Sequence, residues 1–398
     1  MHPVISTSVY TVLQIIFLGV VLHCLRSFRE LHVSEGLLRA LSWIVAVVSV
    51  VLIILPIAGA YLPPGQLKRH CEAAGNIWLG FSIYFHPILL ILLLIAGIVR
   101  LIAKGQPAWV RPAVLLVSFA AGAVILVLGM RHAQDTIVTN FDVTIEKDAG
   151  GRSDMKMVLI ADLHISVNSH LETIQKMADK INEIDPDVVV VAGDIFTSEY
   201  RGVDDPEAYA AALASIKAPE GVYAVYGNHD VEETLFGGFP ITPISQAFRT
   251  KEMEQFFKDA NFKVLYDETA ELFGGDVQLV GRIDGEKAGD GTKNRMSAAE
   301  VLAGEDLKKP VIVLQHEPIE FKALAEAGAD LVLCGHTHAG QIFPGNVIVP
   351  FFNENAYGYE LIGGVDTVVT SGIGYYGPPM RVGTNSEIAV VNIHFEGA

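Results

Sequence analysis

Four long apolar segments in the first third of this chain decide most of what it can fold into. They run roughly over Val9–Leu25, Leu37–Leu62, Ile77–Val99 and Pro112–Met130, and each is long enough as a helix to cross about 30 Å of hydrocarbon. A soluble four-helix bundle would carry a polar stripe on every helix. The stretch from Trp43 to Ala60 offers only Ser42 and Ser49 nearby. A four-helix transmembrane region over residues 1–133 is therefore expected, with a separate domain over 134–398. No Lys or Arg precedes the first apolar run and three further runs come after it, so the N-terminus does not have the form of a secretory signal peptide.

Charge divides the chain at the same place. Up to residue 150 there are ten Lys and Arg against seven Asp and Glu; beyond it there are 18 against 38, a net charge of −20. So acidic a domain is a poor partner for nucleic acid, which is bound through basic surfaces that release counterions from phosphates. Near the ends of the apolar runs, Arg26, Arg29 and Arg39 mark the first loop and Arg100, Lys104 and Arg111 the third. Lys68, Arg69 and Arg131 mark the other side, so six positive charges stand against three. That bias places the first and third loops in the cytoplasm. The C-terminal domain of this multi-pass membrane protein is then expected outside it. Three cysteines form no disulfide framework: Cys24 and Cys334 read as core residues, and Cys71 falls in the second, outer loop. His86, directly before Pro87, is the one ionisable residue deep in an apolar run. Such a group is a functional candidate, but a hydrogen bond to a neighbouring helix or to backbone freed by the proline is the simpler expectation.

In the acidic part, short β-branched apolar runs end in residues that bind metals. Met157–Ala161 precedes Asp162 and His164, Val188–Ala192 precedes Asp194, and Val222–Tyr226 precedes Asn228. Val311–Gln315 precedes His316, and Leu331–Cys334 precedes His336 and His338. Runs of this kind read as strands buried on both faces, and open α/β sheets keep their sites just past the carboxyl ends of such strands. Helical spacing over Leu171–Glu183 and Pro206–Ile216 joins them as strand, helix, strand units. Thr136–Glu146, Val365–Thr370 and Glu387–His394 read as further strands, and Gln255–Asn261 and Phe321–Ala327 as further helices. Seven carboxylate, amide and imidazole ligands without a thiolate exceed the needs of one borderline ion, so two divalent ions are implied, of the Mn, Zn or Fe type.

The five clusters stand as Asp162-Leu163-His164, Gly193-Asp194, Gly227-Asn228-His229-Asp230, His316 and Gly335-His336-Thr337-His338. In kind and order they resemble the signature of the calcineurin-like metallophosphoesterase superfamily. The run from Gly335 to Ile342 and the late Pro379-Met380-Arg381 resemble its membrane-associated YkuE-type branch, which usually has Gly where this chain has Ala339. The resemblance covers roughly Thr136 to Ala398 and leaves the four apolar runs unexplained. It implies a four-layer α/β domain of two mixed β-sheets sandwiched by helices, and a metal-dependent phosphoric ester hydrolase. It further implies that Asp162, His164 and His338 hold one metal, that Asn228, His316 and His336 hold the other, and that Asp194 bridges them.

On the same resemblance His229 is the catalytic histidine that protonates the leaving group. Asp230 either fixes its tautomer by a hydrogen bond or caps the next segment, Val231-Glu232-Glu233. Arg282 and Arg381 are candidate phosphate clamps, and equally candidates for structural ion pairs. Three aromatic loops, Phe236–Pro240, Phe351–Asn353 and Gly374–Pro379, offer an apolar rim for a lipid-linked phosphate ester, although ordinary loop packing is the simpler account of them. Two other classes of function compete with the hydrolase: a membrane sensor or transporter regulated by this domain, and a metal-binding scaffold without catalysis. Loss of catalysis normally shows as replaced ligands, and none is replaced here.

Overall fold

The computed structural model describes residues 3–63, 65–197, 199–236 and 239–397, so Gly237 and Gly238 of the first aromatic loop lie outside the described residues. Two compact units emerge.

The first unit is built on four helices, each long and apolar enough to cross a membrane: α1 (Pro3–Arg26), α2 (Glu35–Tyr61), α3 (Gln66–Ile102) and α4 (Val110–His132). Ser34 caps α2 by accepting from the Leu37 amide. α3 starts eleven residues before the expected 77. Its polar first turns are helix, not loop: Lys68 is buried and pairs with Glu72 one turn on at 3.5 Å. Cys71 accordingly lies buried within α3 and not in an outer loop. α2 and α3 meet at Gly75, where a Cβ would press on the backbone of Pro56, the small-residue contact by which membrane helices approach closely. Cys24, Phe85, Leu89 and Leu115 form the centre of this packing. Among the described residues His86 makes neither of the hydrogen bonds expected of it. Its ring stacks on Phe17 at 3.8 Å, beside a cavity of about 330 Å³ that Gln14 also lines.

The second unit holds two six-stranded sheets. In chain order the strands of the whole chain are β1 (Thr136–Ile145), β2 (Asp154–Ile160), β3 (Val188–Ala192), β4 (Val222–Val225), a short pair β5 (Leu235–Phe236) and β6 (Phe239–Pro240) that belongs to the first unit, and β7 (Lys263–Val264). Next come β8 (Glu268–Leu272), β9 (Val277–Gly281), β10 (Val311–Leu314), β11 (Leu331–Cys334), β12 (Gly358–Ile362), β13 (Val365–Val369) and β14 (Ser386–Phe395). One sheet has the order β1-β14-β2-β3-β4-β7 and the other β12-β13-β11-β10-β9-β8. Strands β2, β3, β4 and β7 run parallel, as do β9, β10, β11 and β13, while β14 against β2, β12 against β13 and β8 against β9 are antiparallel.

Successive side chains of a strand point to opposite faces, and β2 divides its residues accordingly. Met157 and Leu159 join Leu279, Leu314 and Leu333 in the layer between the sheets. Val158 and Ile160 pack outward with Met177, Ile181, Leu213, Phe256 and Phe257, which belong mainly to helices α5 (Leu171–Ile184), α6 (Pro206–Ala214) and α7 (Lys251–Asp259). Across the molecule Val313 and Val332 meet Phe321 and Leu324 of a further helix. The result is helix, sheet, sheet, helix. Strand β9 is not legible in the sequence because Gln278 interrupts its apolar run. That side chain is satisfied locally, donating to Asp306 O at 2.9 Å and accepting from Asp306 N at 2.8 Å.

Segments Thr234–Ile241 and Gly377–Met380 group with the helices of the first unit. Strands β5 and β6 pair there, and buried Phe236 lies edge-on to Tyr10 with 5.5 Å between ring centroids.

Candidate metal centre

All seven expected ligands lie within seven residues of the C-terminal ends of parallel strands: Asp162 and His164 after β2, Asp194 after β3, Asn228 after β4, His316 after β10, and His336 and His338 after β11. To turn away from its strand so abruptly, the backbone takes a left-handed conformation at Asp162, His164, Asp194, His336 and His338, with φ between 46° and 74°. Asp and His are among the residues that tolerate this region best. Ala339 also adopts it, at φ 50°, where glycine would be easier. All the ligands except half-buried His336 are buried.

The side chains converge in two groups, Asp162 with His164 and His338, and Asp194 with His316 and His336. In the first, His164 Nε2 lies 3.0 Å from His338 Nε2, and His338 Nε2 lies 3.8 Å from Asp162 Oδ1. Asp194 faces both groups through one oxygen: Oδ2 is 3.6 Å from His164 Nε2 and 3.2 Å from His316 Nε2. Asn228 joins the second group, its Oδ1 lying 2.9 Å from His316 Nε2 and 3.2 Å from His336 Nδ1. His336 therefore presents Nδ1 where the other imidazoles present Nε2.

Hydrogen bonding at the periphery fixes which atoms point inward. The Nδ1 of His316 lies 2.7 Å from the Ala192 carbonyl and donates to it, which turns Nε2 toward the centre. The Asn228 amide nitrogen donates to Glu286 at 3.1 Å, so Oδ1 is the inward atom. A ring nitrogen, an amide oxygen and a carboxylate oxygen thus face one another, all acceptors when the imidazole is neutral. Such an arrangement is repulsive unless a proton or a cation lies among them, and the donor set suits a divalent ion of the manganese, zinc or iron type. Burial opposes a charge on His316, but Asp194 beside it outweighs that and raises the imidazole well above its usual value, so a proton on Nε2 is the alternative to a cation there.

Burial holds the His164 and His336 imidazoles down to about 3, and His338 well below its usual value, so these rings are neutral and available as ligands. Burial pushes Asp162 up to about 7. Burial opposes ionisation of Asp194 too, but His316 and His229 beside it outweigh that and keep its carboxyl well below the usual range.

Adjacency in the sequence makes Asp230 the expected orienter of His229, or a cap for the segment after it. It is neither. Its carboxylate accepts from the amides of Asp194 at 3.0 Å, Phe196 at 3.0 Å and Gly227 at 2.8 Å, and so ties the loop after β3 to the loop after β4. Gly227 stands where a Cβ would overlap the Asp194 carboxylate. The partner of His229 is Glu233, whose Oε1 lies 2.9 Å from Nδ1. Glu233 in turn takes both of its carboxylate oxygens to buried Lys287, at 2.8 and 2.7 Å. Tyr376 lies beside the same histidine, with ring centroids 4.6 Å apart. Glu233 is recognisable in the sequence only as a carboxylate four residues beyond His229 on a turn, and Lys287 carries no local signal.

Neither arginine is a clamp. Arg282 is fully buried and donates to Gln315, Glu320 and the Met296 carbonyl. Arg381, equally buried, donates to the carbonyls of Ser371, Gly372 and Gly374, bracing the loop that backs Asp162. The aromatic loops diverge: Phe236 is buried, Tyr376 sits by the histidines, and Phe351 and Phe352 are bare.

Residues 155–340 match the model of the calcineurin-like phosphoesterase family. The chain is 30% identical over 283 residues to a zebrafish (Danio rerio) transmembrane protein with metallophosphoesterase domain, covering 67% of this chain and 59% of the relative. It is 29% identical to an uncharacterized metallophosphoesterase of Aquifex aeolicus, over 65% of this chain and 92% of that one. It is 27% identical to the uncharacterized metallophosphoesterase YkuE of Bacillus subtilis, over 61% and 80%. Against the first three relatives the match spans about three fifths of their length.

Proposed function

We propose that this chain, which carries a calcineurin-like phosphoesterase domain, is a membrane-anchored hydrolase of phosphate mono- or diesters, acting on esters carried by lipids or found in the cell envelope. The observation that carries the reading is the set of inward acceptors at Asp194, Asn228 and His316. Asp162, His164 and His338 would hold one divalent ion, Asn228, His316 and His336 a second, and Asp194 would serve both. When bound, two such ions supply the positive charge that acidifies a water near neutral pH and neutralises phosphoryl oxygens.

The chain's own contribution lies in position and in one proton. The peptide nitrogen of His229 donates to Asp194 Oδ1 at 2.8 Å, which sets the histidine beside the shared carboxylate. With Nδ1 given to Glu233, the Nε2 atom is left to protonate the departing alkoxide. Lys287 fixes the far side of Glu233, so the ring is oriented by two buried residues. The Tyr376 ring covers the histidine on the loop side and limits water around it. The charge bias of the membrane loops supports an orientation with this domain outside the cytoplasm, where it would face envelope substrates.

Asp194→Asn in the full-length protein tests the reading. Metal content should fall at both positions and hydrolysis of aryl phosphate mono- and diesters should all but vanish. Full metal loading with near-normal turnover would overturn the shared role of Asp194.

A further inference from the structure

We infer that the segment from Phe343 to Phe352 dips into the surface of the lipid bilayer. It begins five residues after His338, as a turn of helix (Gly345–Ile348) leading into a tighter turn (Val349–Phe351). Its large apolar side chains face solvent: Phe343 is 50% exposed, Val347 53%, Ile348 47%, and Phe351 and Phe352 81% each. All five fall within ten consecutive residues, on the short helix, the tighter turn and their two ends. The ten residues include no charge, although the domain around them is strongly acidic. A soluble domain rarely leaves so many large apolar groups bare in one short run, and such patches mark interaction surfaces.

The occupant follows from where this segment is tied. His132, the last residue of α4, lies with Nε2 at 3.0 Å from the Thr384 carbonyl. The Asn346 amide donates to the neighbouring Gly383 carbonyl at 3.3 Å, and the Phe343 amide donates to the Val382 carbonyl at 2.8 Å. His132 belongs to the same unit as the segment and follows Arg131 directly in the chain, so if α4 spans the membrane the chain leaves the bilayer at a residue bonded beside the Val382–Gly383 stretch that holds the segment. Uncharged phenylalanine and branched aliphatic side chains at that level partition into the acyl boundary. A lipid surface therefore accounts for the exposure, the absence of charge and the position together. Because His338 precedes the segment so closely, the dip would bring the metal centre's rim to phosphate groups at the membrane surface. The inference rests on the four helices spanning a bilayer, and not on hydrolysis.

The test uses the full-length protein in phosphatidylcholine nanodiscs. The native cysteines are all buried, so Val347→Cys and Phe351→Cys can each be spin-labelled selectively, with exposed Lys308→Cys as the aqueous reference. Collision with oxygen relative to a water-soluble nickel chelate should be at least tenfold higher at positions 347 and 351 than at 308. Nickel access equal to that at 308 would overturn the inference, and so would dipolar broadening between labels, which would make a second copy of the chain the occupant. Wild-type hydrolysis of a soluble aryl phosphate is scored separately. Its absence with lipid-protected labels would defeat the phosphoesterase reading and leave the bilayer contact standing.

Discussion

Replacing Lys287 by Met removes the ammonium group that binds both oxygens of Glu233 at 2.7 and 2.8 Å. Glu233 is 3% exposed and Lys287 2%, so water cannot take over the lost bonds. Breaking one side of a buried pair costs about 3–5 kcal/mol, because the remaining charge is left uncompensated. For a domain of this size about 1 kcal/mol corresponds to about 2–4 °C in the unfolding temperature, so the expected fall is about 6–20 °C. The penalty belongs to the orphaned charge and not to the lost volume, which Met largely keeps. Adding Glu233→Gln should therefore restore a large part of the stability, a non-additivity of about 2 kcal/mol or more in the double-mutant cycle. Thermal unfolding of the four proteins in nanodiscs, monitored by the fluorescence of a bound dye, gives the cycle. A shift under 2 °C for Lys287→Met, or simple additivity in the double variant, would refute the claim that this pair is a buried charge couple.

Three further outcomes are expected. His229→Ala should keep its metal content yet lose about 10²- to 10⁴-fold in rate, with a smaller loss for esters with good leaving groups; an equal loss for good and poor leaving groups would reduce His229 to a positioning role. Ala339→Gly should relieve a left-handed alanine that costs about 1–2 kcal/mol, partly offset by the flexibility of glycine, for a net gain of about 0.5–1 kcal/mol read as a rise in unfolding temperature; a fall would show that the Ala339 methyl group has a packing role. A reporter fused to the C-terminus should be active outside the cytoplasm, and protease added outside should digest the acidic domain; protection until the membrane is broken would reverse the orientation drawn from loop charges.

The candidate metal-binding residues stand out in the sequence because their signal is local: a β-branched run, then a residue of ligand type, five times over. Their convergence is legible as well, since parallel strands of buried character bring their carboxyl ends to one edge. Long-range partners are not. Asp230 adjoins His229 and has the chemistry of an orienting carboxylate, but the turn sends Asp230 back to three amides and brings Glu233 round to the ring. Arg282 and Arg381 carry the right chemistry for phosphate, yet both are fully buried and their terminal nitrogens are turned to protein partners. At α3 the polar residues of the first turns mask a helix because their charges are met within it, by Lys68 and Glu72.

The grouping of Thr234–Ile241 and Gly377–Met380 with the four helices bears on how this protein can be prepared. A truncated chain beginning at Thr136 looks like the natural soluble fragment, since the strands start there. Cutting at that point would uncover Phe236, which is 3% exposed in the whole chain, and fully buried Met380. It would also strip Ser386 of the Ala133 carbonyl to which its hydroxyl donates at 2.9 Å. Both newly bared patches lie on loops that lead directly into the residues around His229 and Tyr376. Such a fragment should be prone to clump during purification and to understate any hydrolysis by the whole chain, so inactivity of the fragment would say little about the intact protein.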